Sequence, residues 1–235
     1  MRDGRVLIGW GMATSTYPTH RMPASARVRV SANGAALVQV GTQDLGTGTY
    51  TVMSQIAADS LGVPIERIQF ELGDSTLPHA PVSGGSMTVA SVGPAVKAAC
   101  EAVRAKLEGE ADVPVPELLA RRRMDVVEAT SDSKPGEEEK RYAMHSFGAQ
   151  FAEVRVDGDL GEIRVSRFVG AFDAGRVMNA KTARSQLIGG IVYGLGMALL
   201  EETHVDAETG RMVNANIADY LVPVNADVPE PSRPW

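Results

Sequence analysis

Gly41-Thr-Gln-Asp-Leu-Gly-Thr-Gly-Thr49 and Pro81-Val-Ser-Gly-Gly-Ser-Met-Thr88 each lie where a strand-like pattern gives way to a helix-like one. Such a junction aims backbone N–H groups and the positive end of a helix at whatever sits before it, which suits an anion. Two of them, about forty residues apart, point to one phosphate-bearing ligand held from two sides. A plain turn or helix cap is the alternative for either loop taken singly. Neither loop is a P-loop, because no Gly-Lys-Ser/Thr is present, and no Gly-x-Gly-x-x-Gly links a strand to a helix.

Outward from these loops, residues 5–10 read as a short strand. Arg27 to Val40 reads as a hairpin that turns at Asn33-Gly34, between two alternating runs. A helix follows from Thr51, with Gly62 suited to its C-terminal cap. Residues 66–72 form a strand, and an Ala-rich helix runs from about Ser86 to Leu107. Phe151 to Val169 repeats the hairpin, turning between Asp157 and Gly161, and leads through Gly170-Ala-Phe-Asp-Ala-Gly-Arg-Val-Met-Asn179 to a helix from Arg184. Ser54-Gln55 and Ser185-Gln186 fall at matching places, so hairpin, loop and helix recur. The expected fold is α+β: two related lobes of mixed sheet with helices packed on one side. The expected boundaries are residues 1–108 for the first lobe, 109–145 for a charged, partly disordered surface insertion, 146–229 for the second lobe and 230–235 for a tail. Arg121-Arg122-Arg123, with acidic residues on both sides, reads as a solvated face.

Composition narrows the function. The chain has 235 residues, 44% hydrophobic and 22% charged, with a formal net charge of −6. That balance is ordinary for a globular protein and lacks the basic excess of a general nucleic-acid binder. No stretch has the length of a membrane span, and the N-terminus is not read as a signal peptide. The single cysteine, Cys100, lies in a helical pattern and reads as a buried small hydrophobe. One cysteine cannot hold an iron–sulfur cluster or a structural zinc, and the four histidines lack ligand spacing.

The last helix carries glycine at 189, 190, 194 and 196, each costing about 1 kcal/mol relative to alanine. Gln186, Gly190, Gly194 and Met197 share one face, and Ile188, Ile191, Leu195 and Leu199 the other. The first face is either a groove for a ligand or a surface for close helix packing.

Taken together, Gly41–Thr51, Gly73–Ser91, Asp173–Asn179 and Gln186–Leu199 closely resemble the molybdenum-binding large subunit of the xanthine dehydrogenase/aldehyde oxidase family, nearest to bacterial three-subunit aldehyde oxidoreductases. The resemblance runs from about Gly4 to Pro229 and makes the two lobes molybdopterin-binding. It implies that Gly46 and Thr47, then Gly85, Ser86, Met87 and Thr88, and then Gln186 hold the molybdopterin cofactor, in its cytosine dinucleotide form. In that family no side chain binds molybdenum, so no metal ligand is expected here. The family chemistry is hydroxylation with water of aldehydes or N-heterocycles. Electrons leave through 2Fe-2S clusters and FAD, which the resemblance places on partner subunits.

The family's catalytic glutamate sits in a Gly-x-Gly-Glu-type motif that residues 1–235 do not contain, so no catalytic residue is assigned. Glu201 and Glu202 follow the glycine-rich helix and read as solvated. Asp44 and Arg21 are candidates for facing a pocket, without an assigned role. Three readings stay open: a piece of a hydroxylase subunit that is inactive by itself and completed by a remainder, a module that stores or inserts the dinucleotide, and an inert remnant. The compartment stays open between cytoplasm and periplasm.

Overall fold

The computed structural model describes residues 1–107 and 113–229. In chain order the elements are β1 (Arg2–Asp3), β2 (Val6–Pro18), β3 (Ala24–Ser31), β4 (Ala36–Gln39), α1 (Thr49–Leu61), β5 (Ile68–Glu71), α2 (Thr88–Lys106), α3 (Val115–Arg122), β6 (Val126–Ser133), α4 (Glu138–Arg141), β7 (His145–Asp157), β8 (Ile163–Asp173) and α5 (Ala180–Leu199). They form two compact units. One is Pro18–Met144, and the other joins Met1–Tyr17 to the chain from His145 onward. The fold is α+β with two four-stranded sheets, ordered β5-β4-β3-β6 and β1-β2-β7-β8.

The 18–144 unit grows from the alternation in β3, where Ala24, Ala26, Val28 and Val30 point into the core. Asn33-Gly34 turns the chain as expected, with Gly34 at φ 86° and the Ser31 N–H donating to the Ala35 carbonyl. Val28 then faces Val38 on β4 and Ala129 on β6. The chain leaves β4 through α1 and returns as β5, parallel to β4, with Val38 opposite Phe70. Gly62 ends α1 in the left-handed conformation, its N–H donating to the Ala58 carbonyl. Helix α2 covers β3 and β6 with Val92, Val96, Ala99 and Val103, all fully buried. It meets α1 closely at Gly93, where a Cβ would stand 3.1 Å from Ile56 Cδ1. Met53 and Leu61 of α1 complete the core, each contributing about 1.5–3 kcal/mol by burial.

The boundaries differ from the expected ones. Residues 126–133 are no insertion: β6 pairs with the whole of β3, from Ala24 opposite Ser133 to Ser31 opposite Val126. Its Val127 and Ala129 are buried, as are Val115, Leu118 and Leu119 of α3. The alternation that builds β6 is real but sits among charged neighbours that mask it. The strand expected over residues 5–10 extends from Val6 to Pro18 and hydrogen-bonds to β7, so the N-terminus belongs with the second half of the chain. Residues 108–112 and the 230–235 tail lie outside the described residues.

In the other unit β7 and β8 form the second hairpin, from Phe147 opposite Asp173 to Val156 opposite Ile163. Its turn closes with Gly161 at φ 69° and Asp157 accepting from the Asp159 and Leu160 amides. Arg5 reaches the same carboxylate at 2.9 Å. Helix α5 starts four residues earlier than expected because the Asn179 side chain caps the Thr182 amide. The expected order of hairpin, loop and helix therefore recurs in both units.

Candidate cofactor-binding site

The loop before α1 is organised around Asp44. Its Oδ1 accepts from the amides of Gly46 (2.8 Å) and Gly48 (3.4 Å), and its Oδ2 from that of Tyr50 (3.3 Å). Gly46 and Gly48 take left-handed φ values of 90° and 86°, which turn these amides inward. Partial burial works to raise the Asp44 pKa, but backbone donors at Tyr50, Gly46, Gly48 and Thr47 outweigh it and hold the carboxyl below its ordinary range. The positive end of α1 thus faces an anion supplied by the chain itself. Gly46 and Thr47 are exposed on the rim of this loop.

The second loop is stitched to the first. Gln43 Oε1 accepts from the Ser83 amide (3.0 Å), Gln43 Nε2 donates to the Gly41 carbonyl (3.1 Å), and Ser83 Oγ donates to the Gln43 carbonyl (3.0 Å). The Gly41 amide donates to the Pro78 carbonyl at 2.7 Å, an approach so close that a Cβ at Gly41 would stand 3.0 Å from that oxygen. Thr88 Oγ1 bonds Ser83 Oγ at 3.2 Å, tying the first residue of α2 into the same network.

Gly85 and Ser86 both take left-handed backbone, at φ 58° and 56°. For serine that conformation is uncommon and costs energy, so the surrounding turn imposes it. Met87 is buried and anchors the turn. Helix α2 has no side-chain cap and no acidic residue in its first turn. Among the described residues, the amides of Gly85, Ser86 and Thr88 have no hydrogen-bond acceptor. Successive amides in such a turn form a concave donor surface, and the Ser86 and Thr88 hydroxyls border it. This arrangement fits a phosphate.

Gln186 belongs to the other unit, on α5. It is exposed with Gly190, Gly194 and Met197 along one face. A Cβ at Gly189, Gly190 or Gly194 would meet nothing within 4 Å, whereas one at Gly196 would stand 2.9 Å from Pro223. Close packing therefore accounts for Gly196, while Gly190 and Gly194 lie on the bare face. The opposite face is only half covered: Leu195 is buried, Ile188 and Ile191 are intermediate, and Leu199 is exposed.

The remaining candidates have structural partners. Arg21 forms an ion pair with Glu138, which ties it to the charged stretch instead of a pocket. Glu201 accepts from the Tyr220 hydroxyl (3.1 Å), so it is less free than its position suggests, while Glu202 is exposed. Cys100 is fully buried, and burial pushes its thiol up to about 12. Among the described residues, no three His, Cys, Asp or Glu side chains gather as a metal site, and no helix is long and apolar enough to cross a membrane. The sequence reading missed the Asp44 carboxylate as an internal cap and the Gln43–Ser83 stitch. Asp-x-Gly is a recognisable turn signal, and Asp74 makes the same turn, accepting from the Thr76 amide at 2.8 Å.

Residues 1–229 match the molybdopterin cofactor-binding domain family. The aldehyde oxidoreductase molybdenum-binding subunit of Escherichia coli is 37% identical over 98% of this chain and 34% of its own length. A putative xanthine dehydrogenase molybdenum-binding subunit of the same organism is 26% identical over 97% of this chain and 35% of its own. Among solved structures, quinoline 2-oxidoreductase from Pseudomonas putida superposes with a TM-score of 0.82 at 24% identity, covering 98% of this chain and 35% of that one. This chain spans about a third of the length of these relatives. It belongs to the molybdopterin cofactor-binding domain family, as found in the molybdenum-binding subunits of the xanthine dehydrogenase/aldehyde oxidase group.

Proposed function

We propose that this chain grips the pterin and phosphates of the molybdopterin cofactor in an aldehyde oxidoreductase-type hydroxylase, with the Gly85–Thr88 turn taking a phosphate. The unpartnered amides of that turn, on a loop already fixed by Gln43 and Ser83, carry this reading. Ser86 and Thr88 add hydroxyl donors, Met87 anchors the turn, Gly46 and Thr47 border the cofactor from the first loop, and Gln186 contributes an amide from the bare face of α5. The cofactor is the cytosine dinucleotide form. When bound, it supplies the molybdenum centre at which water-derived oxygen is transferred to an aldehyde or N-heterocycle. The 2Fe-2S and FAD groups sit on partner subunits. Residues 1–235 hold no glutamate in the family's catalytic motif, so this reading assigns cofactor binding and no turnover to these residues.

The test measures molybdenum and released pterin dinucleotide in the purified chain and in Gln186→Ala. Cofactor bound without aldehyde oxidation, and reduced in the variant, is the expected outcome. Equal retention in Gln186→Ala counts against the α5 assignment, and no cofactor in either protein counts against the whole reading.

A further inference from the structure

Among the described residues, the buried apolar side chains lie almost wholly in the 18–144 unit; the other unit contributes only Val165 and Leu195. That other unit instead exposes large apolar groups, with Trp10 at 63%, Met12 at 60%, Tyr193 at 72% and Met197 at 74%. A unit with so little core does not recover the conformational entropy of its own ordering.

Strand β2 concentrates the problem. Every residue from Gly9 to Pro18 is exposed, on both faces of the strand. One edge is held by β7. On the other, β1 pairs only with Val6 and Leu7, and Met1 bonds Ile8 in both directions. Because Ile8 faces that edge, alternation turns the backbone groups of Trp10, Met12 and Thr14 the same way. Among the described residues nothing pairs with them. Protein edges are ordinarily shielded by charge, proline or a bulge. From Val6 to Tyr17 there is neither a charged residue nor a proline. Gly9 and Gly11 flank Trp10, and a Cβ at either would meet nothing within 4 Å. Glycine inside a strand is unfavourable unless another group packs closely over it, and among the described residues none comes within 4 Å of either position.

We infer that the open edge of β2, from Trp10 to Thr16, takes an additional β-strand from the part of the family's polypeptide that this chain does not span. The occupant is an extended segment with apolar side chains at alternate positions, which covers Trp10 and Met12 while its main chain pairs with the edge. The unspanned part amounts to about two thirds of the Escherichia coli relative's length, ample to cover the apolar faces that a strand-paired second copy would leave open. The inference does not depend on the cofactor.

The test mixes this chain with a second polypeptide carrying the unmatched parts of the Escherichia coli aldehyde oxidoreductase subunit, joined by a glycine–serine linker. The expected result is a one-to-one complex in which hydrogen exchange slows at the Trp10, Met12 and Thr14 amides. Met12→Lys, which puts a charge beside the edge without altering the backbone, should weaken that complex about tenfold or more. The absence of a complex, or a complex with unchanged exchange at these amides and full tolerance of Met12→Lys, overturns the inference. So does a dimer of this chain alone that protects the same amides, because the occupant is then a second copy.

Discussion

Helices α1 and α2 both leave glycine-rich loops, and those loops are hydrogen-bonded to each other, yet their first turns are finished in opposite ways. At α1 the Asp44 carboxylate collects the amides of Gly46, Gly48 and Tyr50. At α2 no side chain caps the turn, and among the described residues the left-handed Gly85 and Ser86 have no acceptor for their amides. Sequence composition alone made both loops equal candidates for a phosphate. The structure separates them: one end is satisfied from within and serves as scaffold, and the other keeps its donors available. A glycine-rich helix start is therefore an anion site only when no nearby carboxylate has already filled it.

The largest expected effect comes from opening the closed end. Asp44→Ala should cost about 1–2 kcal/mol, the worth of a charge-assisted cap, read by urea denaturation. Added formate should restore part of that loss in the variant and leave the parent protein unchanged; no response to formate breaks the view of Asp44 as an internal anion. The acid limb gives a second reading of the same group. A carboxylate held below its ordinary 3.8 contributes stability that is fully present above that value and is lost as pH falls through the folded-state pKa. Asp44→Ala should therefore flatten the stability profile below about pH 4. A smaller effect is expected from closing the open end. Ser86→Asp supplies α2 with its own carboxylate on a backbone that aspartate tolerates, and should raise stability by about 0.3–1 kcal/mol. Molybdenum retention should fall in the same variant. Unchanged retention would remove the phosphate from this turn and erase the contrast between the two helices.

How much was legible followed how local each determinant is. Asn33-Gly34 and Gly62 announce a turn and a cap through conformations that few other residues adopt, so the β3–β4 hairpin and the end of α1 could be read directly. Strand β6 could not, because what makes Val126–Ser133 a strand is its pairing with β3, about a hundred residues earlier. The division into units was hidden for the same reason, since β2 finds β7 across the whole intervening unit. At the site, the glycines and hydroxyls marked both loops correctly as special backbone. Which acceptor fills each amide depended on the Asp44 carboxylate folding back over its own turn. Arg21 illustrates the converse: an isolated cation in the sequence, it is claimed by Glu138, a residue far along the chain.

Cys100 sits at the opposite extreme from the open turn of α2, sealed among the side chains that join the sheet to its helices. With its thiol pushed up to about 12 by burial, almost none of it is thiolate near neutral pH, and none of it is accessible. A soluble thiol reagent can reach it only when the 18–144 unit opens. The chain thus carries a single built-in stopwatch for that opening, and labelling rates with and without bound cofactor would time how firmly the ligand locks the unit shut.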